Sequence, residues 1–431
     1  MENQINNLYA IFLDHPFVST DSREVKPGSL FFALRGESFN GNEYASKALE
    51  SGATFAIVDD DQYAVNKSCI LVNNVLSTLQ ALAQHHRMQF NIPLIAITGT
   101  NGKTTTKELI HGVLSEKYNT LATKGNLNNH IGVPLTLLNL TRETEIAIIE
   151  MGANHPGEIE FLCNIAQPDF GIITNIGKAH LEGFGSYEGV IRTKTELYRF
   201  IREKKGVVFI NQDDETLKEH STGLKTISYG ISPSDLMSKN LSADPYVKMD
   251  LQFKDGAILK IESKLYGRYN SGNILAAACI GQHFNVSAES IKSAIEAYQP
   301  GNNRSQISKT KNNLLILDAY NANPSSMKAA IESFSASEFP EKTVILGDML
   351  ELGNDSDKEH LQILNWIDQL QFKQVYLVGP VFTRLNVQRN NICFQDSGLA
   401  KMWFQHHRIE NATVMIKGSR GIRLEKIAEV L

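Results

Sequence analysis

The sequence predicts an α/β protein of three domains containing two doubly wound sheets, on three observations. Its 431 residues exceed what one core usually supports. At roughly 150 residues per domain they divide into about three units. Short apolar runs alternate with helical stretches over most of the chain, the pattern of parallel strands joined by crossover helices. Hydrophobic residues make up 42% of the chain, enough to fill several cores, so long disorder is not expected.

The elements follow in order. Residues 1–82 hold the apolar runs 29–34 and 55–58, punctuated by Pro27, Gly28 and Gly36, and read as a small α/β domain. A helical segment over 79–90 leads to Pro93. Residues 83–299 form a central domain with strands at 94–97, 146–149, 171–174 and 207–210. A hairpin over 247–265 turns around Lys254, Asp255 and Gly256, and an Ala-rich helix spans 273–284. Residues 300–431 carry strands at 314–317, 343–346, 375–378 and 413–416, a second doubly wound domain. The acidic run Asp59, Asp60, Asp61 and the basic run 202–205 are expected to be solvated surface.

Composition excludes several functions. Lys and Arg number 42 against 47 Asp and Glu, a net charge of −5, which does not suit a general nucleic-acid binder. Anionic substrates would need local cationic pockets. Cys69, Cys163, Cys279 and Cys393 are far apart, which argues against a disulfide framework and a zinc site. The first residues lack a basic segment followed by an apolar run, and no stretch approaches the ~18 apolar residues of a membrane span. A cytoplasmic protein without membrane insertion is expected.

The strongest chemical signal is Ile97-Thr98-Gly99-Thr100-Asn101-Gly102-Lys103-Thr104-Thr105-Thr106. A buried strand enters a glycine-rich loop, and the loop enters a helix. Backbone N–H groups there, backed by a helix N-terminus, bind anions. Lys103 can reach the β/γ-phosphates and the Thr104 hydroxyl can ligate Mg²⁺. The loop is two residues shorter than the usual GxxxxGK[ST]. An ordinary glycine turn capping a helix is the plainer alternative.

A bound triphosphate needs a metal, and the metal needs carboxylates. Glu150 ends the strand at 146–149, where a Mg²⁺ ligand would sit at the carboxyl edge of a sheet; otherwise it is an exposed strand end. His180 follows another strand end in a loop with Gly177, Gly183 and Gly185, either a metal neighbour or a hydrogen-bonded loop residue. Lys194 falls on a helix expected over 187–200, where the plain reading is a solvated lysine beside a Glu188–Arg192 pair. Asn126, Asn128 and Asn129 form a polar loop that binds substrate or caps the next helix.

Together, the loop 100–105, Glu150, the His180 loop and Lys194-Thr195-Glu196-Leu197-Tyr198 resemble the Mur ligases, ATP-dependent amide-forming enzymes of peptidoglycan precursor synthesis. Further matches are Thr20-Asp21-Ser22-Arg23, Asp318-Ala319-Tyr320-Asn321-Ala322-Asn323-Pro324, Leu346-Gly347-Asp348-Met349-Leu350-Glu351-Leu352-Gly353 and Lys417-Gly418-Ser419-Arg420. The likeness runs in order along nearly the whole chain. It implies an N-terminal domain for a UDP-linked substrate, a central P-loop ATPase domain and a Rossmann-like C-terminal domain. The downstream motifs look like the member that joins D-Ala-D-Ala to UDP-N-acetylmuramoyl-tripeptide. Those two substrates, ATP and two Mg²⁺ ions are the implied ligands, and a monomer is expected.

The resemblance also implies site roles. Gly99, Thr100, Asn101, Gly102, Lys103, Thr104, Thr105, Asn270, Asn273, Arg304 and Asp318 would contact ATP. Thr104, Glu150, His180 and Lys194, the last as a carbamate, would serve the metals, with Lys103, Lys194 and His180 catalytic. Ser22, Arg23, Asn126, Asn128, Asn129, Tyr320 and Asn323 would contact the other substrates. Asn42 stands where the family pattern has His, and Pro300-Gly301-Asn302-Asn303 replaces the usual Lys-Gly before Arg304. The alternatives are another amino-acid ligase of the same family or a P-loop regulatory NTPase.

Overall fold

The computed structural model describes residues 2–254, 256–301 and 303–431. Asp255, at the expected hairpin tip, and Asn302, in the segment before Arg304, lie outside the described residues. The chain builds three sheets. The first has four parallel strands in the order β1 (Val18–Ser19), β2 (Leu30–Phe32), β3 (Phe55–Val58) and β4 (Cys69–Leu71). Helices Glu2–Asp14 and Val75–Arg87 cover one face, packing Leu8, Phe12, Leu79 and Leu82 against Leu30, Phe32 and Ile57.

The second sheet has nine strands: β5 (Leu94–Thr98), β6 (Thr120–Ala122), β7 (Ile146–Glu150), β8 (Phe170–Ile173), β9 (Val207–Asn211), β10 (Lys225–Gly230), β11 (Leu236–Ala243), β12 (Tyr246–Phe253) and β13 (Ile258–Tyr266). Their order is β13-β12-β11-β10-β9-β8-β5-β7-β6. β5 and β7 are buried at all five positions, as strands covered by helices on both faces must be. The hairpin β12–β13 is antiparallel, as its alternating pattern predicts, and β11 joins it antiparallel, so the sheet is mixed.

The third sheet runs β14 (Gln306–Lys309), β15 (Leu314–Asp318), β19 (Thr413–Lys417), β16 (Lys342–Gly347), β17 (Gln374–Val378) and β18 (Ile392–Phe394). Five of its strands are parallel and β14 is an antiparallel edge.

Three local expectations are corrected. The helix expected over 187–200 is two helices, Tyr187–Lys194 and Glu196–Glu203. At the break the Thr195 hydroxyl donates to the carbonyls of Ile191 and Arg192 (2.8 and 3.2 Å), a back-bond that bends helices. Among the described residues Glu188 and Arg192 form no ion pair. Asp59 is not solvated. Its carboxylate accepts from Val75 N–H, Asn42 Nδ2 and Arg35 Nε (3.1, 2.9 and 2.9 Å), bracing three segments of the first domain.

Candidate active site

Register alone brings the site together. β5 lies between β8 and β7, with Ile97 opposite both Ile172 and Glu150, so three strand ends open onto one edge. The chain leaves β5 into the glycine loop. Gly99 (φ +140) and Gly102 (φ +78) take backbone conformations that side chains resist. A Cβ at Gly99 would overlap Thr174 Oγ1, and one at Gly102 would lie 2.6 Å from Asn273 Oδ1. The loop then enters the helix Lys103–Ser115, whose N-terminus faces a cavity of about 710 Å³.

The loop is tied to the segment after β8. Thr100 N–H donates to Asn175 O (2.9 Å), Asn101 N–H to Asn175 Oδ1 (3.0 Å), and Gly177 N–H to Thr100 Oγ1 (2.9 Å). Lys103 Nζ donates to the carbonyls of Gly99 and Thr100 (2.7 and 3.1 Å). Burial pulls its amine below the ordinary lysine range, Glu150 opposes the fall, and Arg304 adds to it. Thr105 also lines the cavity.

Glu150 is 1% exposed, not the exposed strand end of the plainer reading. Its Oε1 accepts from Thr104 Oγ1 (3.2 Å) and Asn128 Nδ2 (2.8 Å). Its Oε2 is buried without a hydrogen-bond partner, and Lys107 Nζ stands 4.0 Å away. An orphaned carboxylate oxygen beside a threonine hydroxyl suits a hard divalent cation that takes its remaining ligands from phosphate and water. Among the described residues no group of three or more His, Cys, Asp or Glu could hold a metal by itself. The donor set therefore fits Mg²⁺ carried in with a nucleotide.

His180 lines the same cavity with a left-handed backbone (φ +49). Its Nδ1 pairs with Glu351 of the C-terminal sheet's loop, and that contact holds the Glu351 carboxyl below its usual range. Lys194 is 2% exposed, which overturns the solvated reading. Its Nζ lies 3.4 Å from the Ala153 carbonyl and 5.4 Å from the centre of the Phe184 ring. Burial, then the charge of Lys103, holds its amine well below the ordinary lysine range, against the opposing pull of Glu158 and Glu196.

All three asparagines, Asn126, Asn128 and Asn129, line the cavity. Asn128 also holds Glu150, and Asn129 Oδ1 accepts from the N–H groups of Ile131 and Gly132 where the helix Gly132–Leu137 begins. Asn270 and Asn273 also line it, yet they bond each other: Asn273 Nδ2 donates to Asn270 Oδ1 (2.7 Å), and Asn273 Oδ1 accepts from Thr106 (3.0 Å).

Across the cavity stands the edge of the third sheet. Asp318, at the end of β15, accepts from Ser305 N–H (3.2 Å) and buried Lys417 (2.6 Å). Arg304 lies 3.6 Å from the centre of the Tyr320 ring, with Arg420 5.4 Å from it. Asn323 caps the helix Pro324–Ala336 and donates from Nδ2 to Asn101 Oδ1 (2.8 Å).

Ser22 and Arg23 are not brought to this cavity. Arg23 is exposed and bonds Asp21 in its own turn, pulling the Asp21 carboxyl down to about 2. It is within electrostatic reach of Tyr44, which lines a second pocket of about 470 Å³ with Arg35 and Phe39.

Sequence reasoning missed Lys107, fully buried, whose Nζ donates to the Thr123 and Gly125 carbonyls (2.6 and 3.4 Å). Its signal was available: it lies one helical turn after Lys103 and three residues before the buried Ile110, so it shares a helix face with both. Asn175 and Lys178 were missed as well, for they act through segments remote in sequence.

A glycine-rich loop at a helix N-terminus and a buried carboxylate with an oxygen lacking a hydrogen-bond partner, faced across one cavity by cationic and amide side chains from another sheet, have the form of an ATP-using enzyme of the P-loop class. The comparisons narrow the class. Family models described as Mur ligase family, catalytic domain; Mur ligase middle domain; and Mur ligase, glutamate ligase domain match residues 15–89, 97–281 and 303–420. The chain belongs to the Mur ligase family. It is 33% identical to the UDP-N-acetylmuramoyl-tripeptide–D-alanyl-D-alanine ligase of Bacillus subtilis over 96% of this chain and 92% of the relative. Its identity to the enzyme of that name in Escherichia coli is 32%, over 96% and 93%. The crystal structure of MurF from Acinetobacter baumannii superposes with a TM-score of 0.87 at 31% identity, covering 96% of this chain and 92% of the other. MurF of Thermotoga maritima in complex with ADP gives 0.86 at 26% identity, covering 97% of both.

Proposed function

We propose that this chain joins D-Ala-D-Ala to UDP-N-acetylmuramoyl-tripeptide, with ATP converted to ADP and phosphate, in peptidoglycan precursor synthesis. One observation carries the reading. A single cavity is lined by the phosphate loop and Glu150 on one side and by Asp318, Tyr320 and Asn323 on the other, so a nucleotide and an acceptor can meet in it. Relatives matched over nearly their full length carry this activity in their names.

The chemistry sets what the residues must do. A carboxylate is a poor electrophile, since its charge repels an amine and oxide leaves badly. Transfer of the ATP γ-phosphoryl group to the tripeptide carboxylate gives an acyl phosphate and ADP. The dipeptide amine then attacks that carbonyl, and phosphate leaves from the tetrahedral intermediate as the amine gives up its proton. Phosphoryl transfer depends on placement and charge neutralisation. The loop N–H groups and Lys103 hold the phosphates, and Arg304 approaches them from the C-terminal side. Mg²⁺ would be held by Thr104 and Glu150 and supplies neutralising charge. We place a second Mg²⁺ near His180 and Lys194. The lowered basicity of Lys194 leaves a neutral amine whose lone pair can form an N–C bond to CO₂; the nitrogen gives up one proton to solvent and a carbamate anion suited to that ion results. Closing the cavity keeps water from the acyl phosphate.

We assign the UDP end of the substrate to residues 1–82 with Ser22 and Arg23, ATP to 83–299, and the closing face to 300–431. The enzyme works as a cytoplasmic monomer in this reading. Among the described residues no helix is long and apolar enough to cross a membrane.

The test is ADP release with product mass, using UDP-N-acetylmuramoyl-tripeptide, ATP, Mg²⁺ and D-Ala-D-Ala. Release that needs both acceptor and dipeptide, with a product heavier by one dipeptide, is expected. Equal release without the dipeptide would point to a regulatory NTPase. Preference for a single amino acid would point to another ligase of the family.

A further inference from the structure

The segment 174–180 is held from both sides. On one side it bonds the phosphate loop through Thr100 and Asn101, as described above. On the other it is gripped by the C-terminal domain at three points. Lys178 N–H donates to Ser325 Oγ (3.0 Å), His180 pairs with Glu351, and Lys178 Nζ donates to Glu359 Oε1 (2.6 Å). A Cβ on Gly177 would sit 2.7 Å from Ser325 Oγ, so the backbone is packed directly against that domain. Glu359 lies on the helix Ser356–Ile367 with its side chain 3% exposed, whereas Lys178 is 41% exposed. Among the described residues Lys178 is the charged partner of that buried carboxylate. A buried carboxylate left unpaired is unfavourable, so Glu359 favours the arrangement that delivers Lys178 to it.

We infer that Lys178 and Glu359 are a positioning pair that ties docking of the C-terminal domain to the seating of the phosphate loop. The inference rests on the ligase reading. Neither side chain touches the reacting atoms. Their contact fixes Gly177 and Asn175, and these hold Thr100 and Asn101, the residues that set the course of the glycine loop into Gly102 and Lys103. By linkage, nucleotide binding and domain docking then favour each other equally. Weakening the pair lowers the docked fraction, and the apparent affinity for ATP falls in proportion.

The test is Lys178→Gln, Glu359→Gln and the double variant in the full chain, with three readouts. The expected result for each single variant is an ATP KM raised about 5–20-fold, with kcat recovered at saturation, the size of a typical coupling between sites. The double variant is expected to lose no more than the worse single one. In the nucleotide-free chain, amide hydrogen exchange over residues 176–180 should quicken while the melting temperature stays unchanged. An unchanged KM and exchange pattern, a loss in kcat alone, or losses that multiply in the double variant would overturn the inference. Should Glu359→Gln melt early, Lys178→Gln on its half-exposed side chain decides the matter alone. Wild-type chain without dipeptide-dependent ADP release refutes the ligase reading instead, while the exchange comparison still reads the pair.

Discussion

Replacing Gly102 with alanine tests the phosphate loop through one methyl group. The position has φ +78, which costs a residue with a Cβ roughly 1–2 kcal/mol. The added Cβ would stand 2.6 Å from Asn273 Oδ1 and 3.2 Å from its Nδ2. Asn273 cannot retreat freely, because it accepts from Thr106 (3.0 Å) and donates to Asn270 (2.7 Å). Losing both hydrogen bonds costs about 1 kcal/mol each. The sum is about 3–4 kcal/mol, which at 2–4 °C per kcal/mol lowers the melting temperature by roughly 6–16 °C. Thermal unfolding of four proteins checks it: wild type, Gly102→Ala, Asn273→Ala and the double variant. With Asn273 already shortened, the alanine should cost only its backbone share, roughly 1–2 kcal/mol. A Gly102→Ala protein that melts with the wild type would refute the reasoning. So would a full-sized loss that persists in the Asn273→Ala background.

Four further outcomes are expected. Lys103→Ala should fold normally and lose at least ~100-fold in kcat, as loss of an electrostatic stabiliser of a transferring group does; near-normal turnover in steady-state assays would remove Lys103 from the site. Glu150→Gln keeps shape but takes a charge from the metal position, so the Mg²⁺ concentration for half-maximal activity should rise about tenfold or more in a magnesium titration. Lys194→Arg cannot form a carbamate and should be nearly inactive, whereas full activity would exclude that ligand. In CO₂-free buffer Lys194 also predicts a pH effect. Its folded pKa lies well below the ordinary value, so between the two the unfolded chain binds more protons. Stability should therefore climb with pH through that window and fall as pH drops, and Lys194→Met should flatten the climb in melts between pH 7 and 10.

What could be read from the sequence was what is local. The strand, glycine loop and helix at 94–115 fall within a few turns of chain, and their chemistry needs no partner from elsewhere. The hairpin β12–β13 announced itself through alternation. β14 carries one apolar residue in four and β18 is only three residues long, so neither stands out against loops. Charges misled where burial comes from remote segments. Asp59 and Lys194 read as surface because their own neighbourhoods are polar, yet one is enclosed by Asn42, Val75 and Arg35, the other by Ala153 and Phe184. The Asn101–Asn323 hydrogen bond joins residues 222 positions apart, and no spacing rule reaches that far.

The alignment of β8, β5 and β7 has a consequence for how this protein can change over generations. Lys103 and Glu150 are placed by backbone ladders, which step by about 4.8 Å whatever side chains lie beneath. Trimming a methyl from Ile95 or Ile148 leaves those ladders in place while costing about 0.5–1.5 kcal/mol of stability. Substitutions in this core should therefore register in heat tolerance well before they register in turnover. Insertion of one residue into β7 would do the reverse, turning Glu150 to the opposite face of a sheet that could still fold. Lineages of this chain are thus free to drift in the composition of these strands but not in their length.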